Sequence, residues 1–318
     1  MATVKCLKAA AVQLQSGDTF EENAMFSLPF TAEEMNQNFD TIEDEAIVGV
    51  AFKNVPVQGN RHVGGSIGMQ LDAISIEPIL ETAFGTNSSG VFSCNGTTNT
   101  KKLSVVTLDS VNCYQYANVY MKSLSIKGSA GGKFTVDIEF IGVTAESRQV
   151  VGEYPAAPSE IGTFFVFNHA GGTGYFRVGD QTDALDSGDN VLIDDFEISM
   201  DCGFDEQFAS SQTTLTPIFG MTPPQFTGSF KVARHEDNTF LDFRDNSTSL
   251  QAALYIYLDA THTILIEIPN FKVNTAVSDD DLPQQSITMM IGRNGLGTSY
   301  ANANMAFTSP VRITVVNS

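Results

Sequence analysis

The feature that most constrains this chain is a stretch that changes its hydrophobic period midway. From Gly64 the sequence reads GGSIGMQLDAISIEPILETAFG. Ile67, Met69 and Leu71 alternate with Gly68, Gln70 and Asp72, which gives a strand one apolar and one wetter face. Ile76, Ile79, Leu80, Ala83 and Phe84 then recur at three and four residues, the spacing of an amphipathic helix. Ser75 is placed to cap that helix, Pro78 suits its first turn, and Gly85 suits its end. The spacing predicts a strand that feeds a short helix.

The same unit returns later in the chain. Gly65-Ser66 recurs as Gly228-Ser229, 163 positions on, and Ile67 and Met69 match Phe230 and Val232. Thr239, with Asp242 three residues on, is placed to cap a second helix, whose apolar side is Phe240, Leu241 and Phe243. Flanking strands follow in the same order. In the first half they are expected at Leu103–Leu108, Asn118–Lys127 and Phe134–Phe140, and in the second at Leu254–Leu258, Ile264–Ile268 and Ile287–Ile291. Further strands are predicted at Ala10–Leu14, Ile47–Phe52, Phe164–Phe167, Tyr175–Val178, Phe196–Met200 and Val311–Val316. Asn54–His62 and Thr86–Thr100 read as turn-rich connections, and Asp201–Pro224 as a long one. Two copies of one mostly β domain, each with a short flanking helix, account for this order. The expected division is 1–155 for the first copy and 156–318 for the second, which carries a C-terminal extension. The last strand of that extension is able to complete a sheet at home or to join a neighbour's exposed edge.

Charge and composition narrow the function. The chain has 37 acidic against 17 basic residues, a net charge of −20, with no Lys/Arg cluster. That excludes a duplex-binding protein built on a basic stripe. Glu21–Glu45 holds eight acids and no base, with Phe26, Leu28, Phe30, Phe39 and Ile42 spaced through it, and reads as an ordered loop or a docking arm. Cys6, Cys94, Cys113 and Cys202 lack metal-like spacing and read as free thiols. After Lys5 and Lys8 the apolar run Ala9–Val12 is too brief for a signal peptide, and no 18-residue apolar span follows.

No catalytic, cofactor or metal signature emerges, and the expectation is a non-enzyme without cofactors. His62, His169, His235 and His262 share no short motif. Asp279, Asp280 and Asp281 lack the ligand spacing of a calcium loop. Gly171-Gly172-Thr173-Gly174 lacks the Lys-Ser/Thr of a phosphate loop, and Ser66 and Ser229 lack a nucleophile-elbow context. Alternating strands do gather acids on one face, as in Thr135-Asp137-Glu139. Faces of that kind turned inward in a ring make a wet, negative channel.

These segments resemble the tail tube proteins of long-tailed, non-contractile bacteriophages. The resemblance is carried by residues 64–85, by NVYMKSLSIKGSAGGKFTVDIEFIG at 118–142, and by their counterparts TGSFKVARHEDNTFLDF at 227–243 and HTILIEIPNFKV at 262–273. It implies β-sandwich or barrel domains with a flanking helix, arranged six to a ring, with rings stacked into a tube that passes the genome. Two such domains per chain imply three chains per ring with pseudo-sixfold symmetry. The resemblance also implies tape-measure, tail-terminator and distal-tail proteins as partners, transient passage of DNA, assembly in the host cytoplasm and residence in the virion tail. Asp72, Asp137, Glu139, Glu197 and Glu267 are the candidate ring or lumen positions. Two alternatives stay open. One is a related secretion-tube or shell component. The other is a two-domain carbohydrate- or receptor-binding module using Tyr114, Tyr116 and Tyr120 as an aromatic platform.

Overall fold

Alternation of apolar and polar residues dominates the chain, and strands dominate the fold. The computed structural model describes residues 8–42, 57–94, 99–144, 146–155, 162, 164–167, 174–204, 222–233, 239–278, 284–293, 305 and 307–317. The first half contains β1 (Ala9–Gln15), β2 (Phe26–Ser27), β3 (Phe30–Glu33), β4 (Asn36–Ile42), β5 (Val57–Gln70), α1 (Ile76–Phe84), β6 (Asn87–Ser88), β7 (Val91–Ser93), β8 (Lys102–Leu108), β9 (Asn112–Ser129), β10 (Thr135–Gly142) and β11 (Ser147–Val150). The second half contains β12 (Tyr175–Asp180), β13 (Ile193–Asp201), β14 (Gln225–Val232), α2 (Thr239–Asp245), β15 (Leu250–Tyr257), β16 (His262–Ser278), β17 (Gln285–Ile291) and β18 (Arg312–Asn317). The strands form an extensive antiparallel sheet with two small helices, and no closed barrel forms among the described residues.

The middle of the sheet reads β3/β4–β5–β10–β9–β13–β14–β17–β16. This is one quartet of strands used twice, and the registers agree. In the first quartet Ile67 faces Ile138, which faces Leu124. In the second, Phe230 faces Ile287, which faces Ala276. The irregularities also recur. β9 skips Lys122 between the pairs Ser123↔Glu139 and Met121↔Phe140, and β16 skips Asn274 between Thr275↔Thr288 and Val273↔Met289. β3 skips Thr31 opposite β5, and β13 skips Asp194 opposite β14. A bulge bends its strand and raises the local twist, so the two quartets share their curvature as well as their order. The quartets meet where β13 pairs with β9, from Asp195↔Ser129 to Asp201↔Ser123.

The other ends of the long strands carry a second layer. β9 continues past β10 to pair with β8 and β11, and β8 pairs with β1. β16 continues to pair with β15 and β18, and β18 pairs with β7. Most buried apolar residues of both halves merge into one cluster, from Val12 through Ile138 and Phe230 to Val315, with a smaller one around Ala11, Met25 and Val106. Phe84 of α1 lies 5.9 Å from Phe226 of β14, a ring contact that links the halves.

Local chemistry explains α1 and revises one expectation. Ile76, Ile79, Leu80, Ala83 and Phe84 are all buried, and Gly85 ends the helix at φ +79° with its N–H donated to the Glu81 carbonyl. Ser75 does not cap it. Its backbone is already helical, at φ −74° and ψ −13°, whereas a capping residue needs an extended backbone. Asp72 takes that role instead. Its Oδ2 accepts from the Ser75 N–H at 2.8 Å and the Ile74 N–H at 3.2 Å. The helix expected after Thr239 is α2, and Phe240 packs 5.4 Å from Phe230 of β14.

Two connections turn out to be structured. The segment Asn54–His62 is, from Val57 onward, the outer arm of β5, paired with β4. Gln58, Asn60, Arg61 and His62 of this arm are polar, which hides the alternation. Thr86–Thr100 contains the β6–β7 hairpin, which is held in place because β18 pairs with β7. The C-terminal strand therefore completes a sheet at home. Within the acidic first segment, residues 26–42 form strands β2 to β4. The strand expected at Ile47–Phe52, most of Asp201–Pro224, and Cys6, His169, His235 and Asp279–Asp281 lie outside the described residues.

Candidate assembly surface

Along the doubled quartet, alternation separates a core face from a polar face. Val136, Ile138 and Phe140 of β10, Leu124 and Ile126 of β9, and Phe196, Ile198 and Met200 of β13 are buried. Between them, Asp137, Glu139, Ser123, Ser125, Lys127, Glu197 and Ser199 point the other way. A groove of about 550 Å³ runs over this face, lined in part by Lys127, Thr135, Glu197, Ser229, Lys231 and Thr288.

Three of the five sequence-predicted acids meet there. Lys127 Nζ lies 3.0 Å from Asp137 Oδ2 and 3.5 Å from Glu197 Oε1, so one cation joins β10, β9 and β13. These contacts hold the lysine pKa above its ordinary value, the hydrogen bond to Asp137 being the largest cause. Lys122, the bulged residue of β9, lies 2.7 Å from Glu139 Oε1. Ser125 Oγ donates to Glu197 Oε1 at 3.1 Å, and Ser199 Oγ donates to Ser125 Oγ at 2.9 Å across the β13–β9 pair. The charged side chains are roughly half exposed, so each ion pair stabilises by no more than about 1 kcal/mol. Their main effect is on the surface field. Asp195, Asp201 and Lys231 lie in the same alternation, and Glu34, opposite Ser66 of β5, adds a further acid to the face.

Asp72 and Glu267 are placed elsewhere. Asp72 is fully buried beneath α1, with Oδ2 on the helix N-terminus and Oδ1 without a hydrogen-bond partner among the described atoms. Glu267 is 1% exposed, and Arg312 Nε of β18 reaches its Oε2 at 2.6 Å. Burial pushes the Glu267 carboxyl above the usual range, and Arg312 opposes that shift. Arg312 also lies over the Phe307 ring, 4.1 Å from its centroid. The residues that sequence reasoning missed are the lysines. Lys127 was detectable, because it continues the alternation of Ser123 and Ser125. Lys122 was not, because the bulge puts it out of phase.

The tyrosines make no aromatic platform. Tyr116 and Tyr120 are buried, the first with its hydroxyl on the Met35 carbonyl and Glu146. Tyr114 lies half-buried beneath Arg148. Among the described residues no group of His, Cys, Asp and Glu is placed to hold a metal ion, and no helix is long and apolar enough to cross a membrane.

A doubled antiparallel quartet with one charged, hydroxyl-rich face defines a β scaffold whose distinctive surface is a sheet face with open edges. The profile of the phage tail tube protein family matches residues 8–291, and the chain belongs to that family. No curated protein matches the chain.

Proposed function

We propose that this chain is a two-domain tail tube subunit. Three copies form a ring with pseudo-sixfold symmetry, and rings stack into the conduit through which the genome leaves the virion. The observation that carries this reading is the quartet β3/β4–β5–β10–β9, which recurs as β13–β14–β17–β16 with the same bulges within one continuous sheet. Two quartets side by side amount to a third of a sixfold ring. The division at 155/156 and a sandwich-like domain in each half belong to the same reading.

In that ring the polar face lines the bore. Asp137, Glu139 and Glu197 are among its acids, and Lys122 and Lys127 are tied to them. A phosphate passing this surface meets two of the three lysines already engaged by carboxylates, so it releases few counterions and is not retained. Asp72 and Glu267 take structural roles, under α1 and beneath β18. Tape-measure, tail-terminator and distal-tail proteins are the expected partners at the tube's core and ends. Assembly occurs in the host cytoplasm.

Electron microscopy of the assembled protein tests this. The expected images are stacked rings of three chains, with the Lys127 face on the bore. Rings of six chains, or a bore lined by α1 and α2, overturn the reading.

A further inference from the structure

We infer that the groove beneath α2 is a docking site for a segment of another protein, one that carries an apolar anchor residue beside a lysine or arginine. The inference goes beyond the tube reading and does not rest on it. Gln285 alternates with Ser286 along β17, so the groove lies on the opposite side of the sheet from the polar face.

The two halves of the chain differ at this place. In the first, α1 closes down on the core, and Ile76, Ile79 and Leu80 are fully buried. In the second, α2 buries no residue completely, although Phe240, Leu241 and Phe243 rest on the core. A groove of about 640 Å³ remains between α2, β12 and the turn before β13, walled by Val178, Val191, Val232, Phe240 and Phe243. That volume lies within the range of built ligand pockets. Leu192 carries the apolar surface over the lip and is 65% exposed.

The floor calls for a hydrogen-bonding occupant. Gln285, opposite Val232, holds the position that Val136, opposite Met69, holds in the first half. Both are 0% exposed, but neither Oε1 nor Nε2 of Gln285 has a hydrogen-bond partner. Buried amides in folded proteins are paired, and one left unpaired lowers stability. A carboxamide offers an acceptor and a donor side by side, the complement of a peptide group. Its polar atoms lie just beneath the groove surface, so an incoming peptide group reaches them by shifting the lightly seated side chains of α2.

The rim supplies charge. Asp180 and Asp189 line the groove, and no lysine or arginine does so among the described residues. Local bonds fix both carboxylates. Asp180 Oδ1 accepts from the Thr182 N–H at 2.9 Å, and Asp189 Oδ2 accepts from the Asp186 N–H at 2.8 Å. The bonds from Thr182 hold the Asp180 carboxyl below its ordinary range. A basic side chain thus meets acids that are already oriented. A second copy of this chain, with its net charge of −20, matches that rim poorly, and a basic partner of different sequence matches it well.

Screening the full chain against bead-bound random dodecapeptides tests this. The enriched peptides are expected to join Leu, Ile, Val, Met or Phe to Lys or Arg. Resynthesised, they should bind about tenfold more weakly, or worse, to Gln285→Val, which installs the residue of the first half. The same loss is expected with Asp180→Asn plus Asp189→Asn, which keeps the turn bonds because an amide oxygen also accepts. Circular dichroism checks the folding of each variant. Gln285→Val is further expected to raise the Tm of the free chain, because it removes the unpaired amide. No enrichment over Gln285→Val, enriched peptides without a basic residue, or equal affinity for the variants overturns the proposal. Self-association that is lost in Gln285→Val, read by sedimentation, assigns the groove to a second copy and overturns it as well.

Discussion

Gly65 and Gly228 occupy matching positions in the two quartets, and replacing each with alanine separates backbone strain from simple crowding. At Gly65 φ is +145°, and a Cβ would sit 2.2 Å from the Glu34 carbonyl oxygen and 2.9 Å from Met35 Cα. All of its nearest neighbours are backbone, so nothing there gives way cheaply. The disfavoured φ costs about 1–3 kcal/mol. Overpacking against β3–β4 adds about 1–3, and the stiffer unfolded chain returns about 0.4–1. The expected net loss is about 3 kcal/mol. At Gly228 the nearest atom is the Met289 terminal methyl at 2.5 Å, on a flexible side chain, with the Glu197 carbonyl oxygen at 3.2 Å. That crowding costs about 1 kcal/mol or less after the same entropic offset. For a chain of 318 residues, about 3 kcal/mol corresponds to a Tm shift of roughly 4–5 °C. Denaturant unfolding of disassembled protein, with thermal scans at fixed concentration, measures both variants. The reasoning is refuted if Gly228→Ala destabilises as much as Gly65→Ala, because the register would then place no special demand on the first glycine.

Other expectations follow from the same contacts. Arg312→Ala leaves the buried Glu267 carboxylate unpaired and is expected to destabilise the chain by about 3–5 kcal/mol at pH 7, read from urea midpoints. The folded-state pKa of Glu267 is raised above 4.5, so the folded state binds its proton more tightly than the unfolded chain does. That contribution is fully present below 4.5 and is lost as pH rises through the folded value. Glu33 and Glu77 have the same sign. Glu267→Gln is therefore expected to flatten the fall in stability above pH 4.5 in pH-resolved unfolding. Glu139→Lys combined with Glu197→Lys, which removes two such ion pairs, is expected to cost folding about 2 kcal/mol or less. In assembled tubes it should make DNA retention salt-dependent in binding assays. Burial pushes the Cys94 and Cys113 thiols up to about 12 and about 11, and raises Cys202 as well. In a Cys6→Ser background a disulfide reagent should react slowly with the folded chain and rapidly once it unfolds.

What could be read from the sequence is what one local period determines. α1 was visible because Ile76, Ile79, Leu80 and Ala83 repeat at helical spacing, with Glu77 and Glu81 marking the one side that is not fully buried. β10 was visible because Val136, Ile138 and Phe140 are buried while Asp137 and Glu139 are not. The outer arm of β5 was hidden because Gln58, Asn60, Arg61 and His62 are polar and its pairing with β4 replaces burial as the organising force. The pairing of β7 with β18 joins residues more than 200 positions apart, and nothing local encodes it. The candidate surface divides in the same way. Asp137, Glu139 and Glu197 follow a two-residue period within regular strands. Asp72 lies past the end of β5, where the period has already lapsed, and its carboxylate turns in to the start of α1. Glu267 does sit in a strand, but β18 supplies Arg312 to hold it out of solvent, and that cover comes from the far end of the chain.

The repeated register also shows how unlike the two quartets have become. Asp137 and Glu139 correspond to Ser286 and Thr288, as their shared positions opposite β5 and β14 require. Lys122 corresponds to Asn274. At these three positions one quartet presents interlocked charges where the other presents hydroxyls and an amide, while the second quartet carries its own charges on β13 and β14, at Asp195, Glu197, Asp201 and Lys231. In the proposed conduit the charge pattern differs from one quartet to the next, so the wall's electrostatic pattern repeats every 120° although its backbone repeats every 60°. Fusing two units into one chain is what permits this, because a wall of identical units has the same chemistry in every sector.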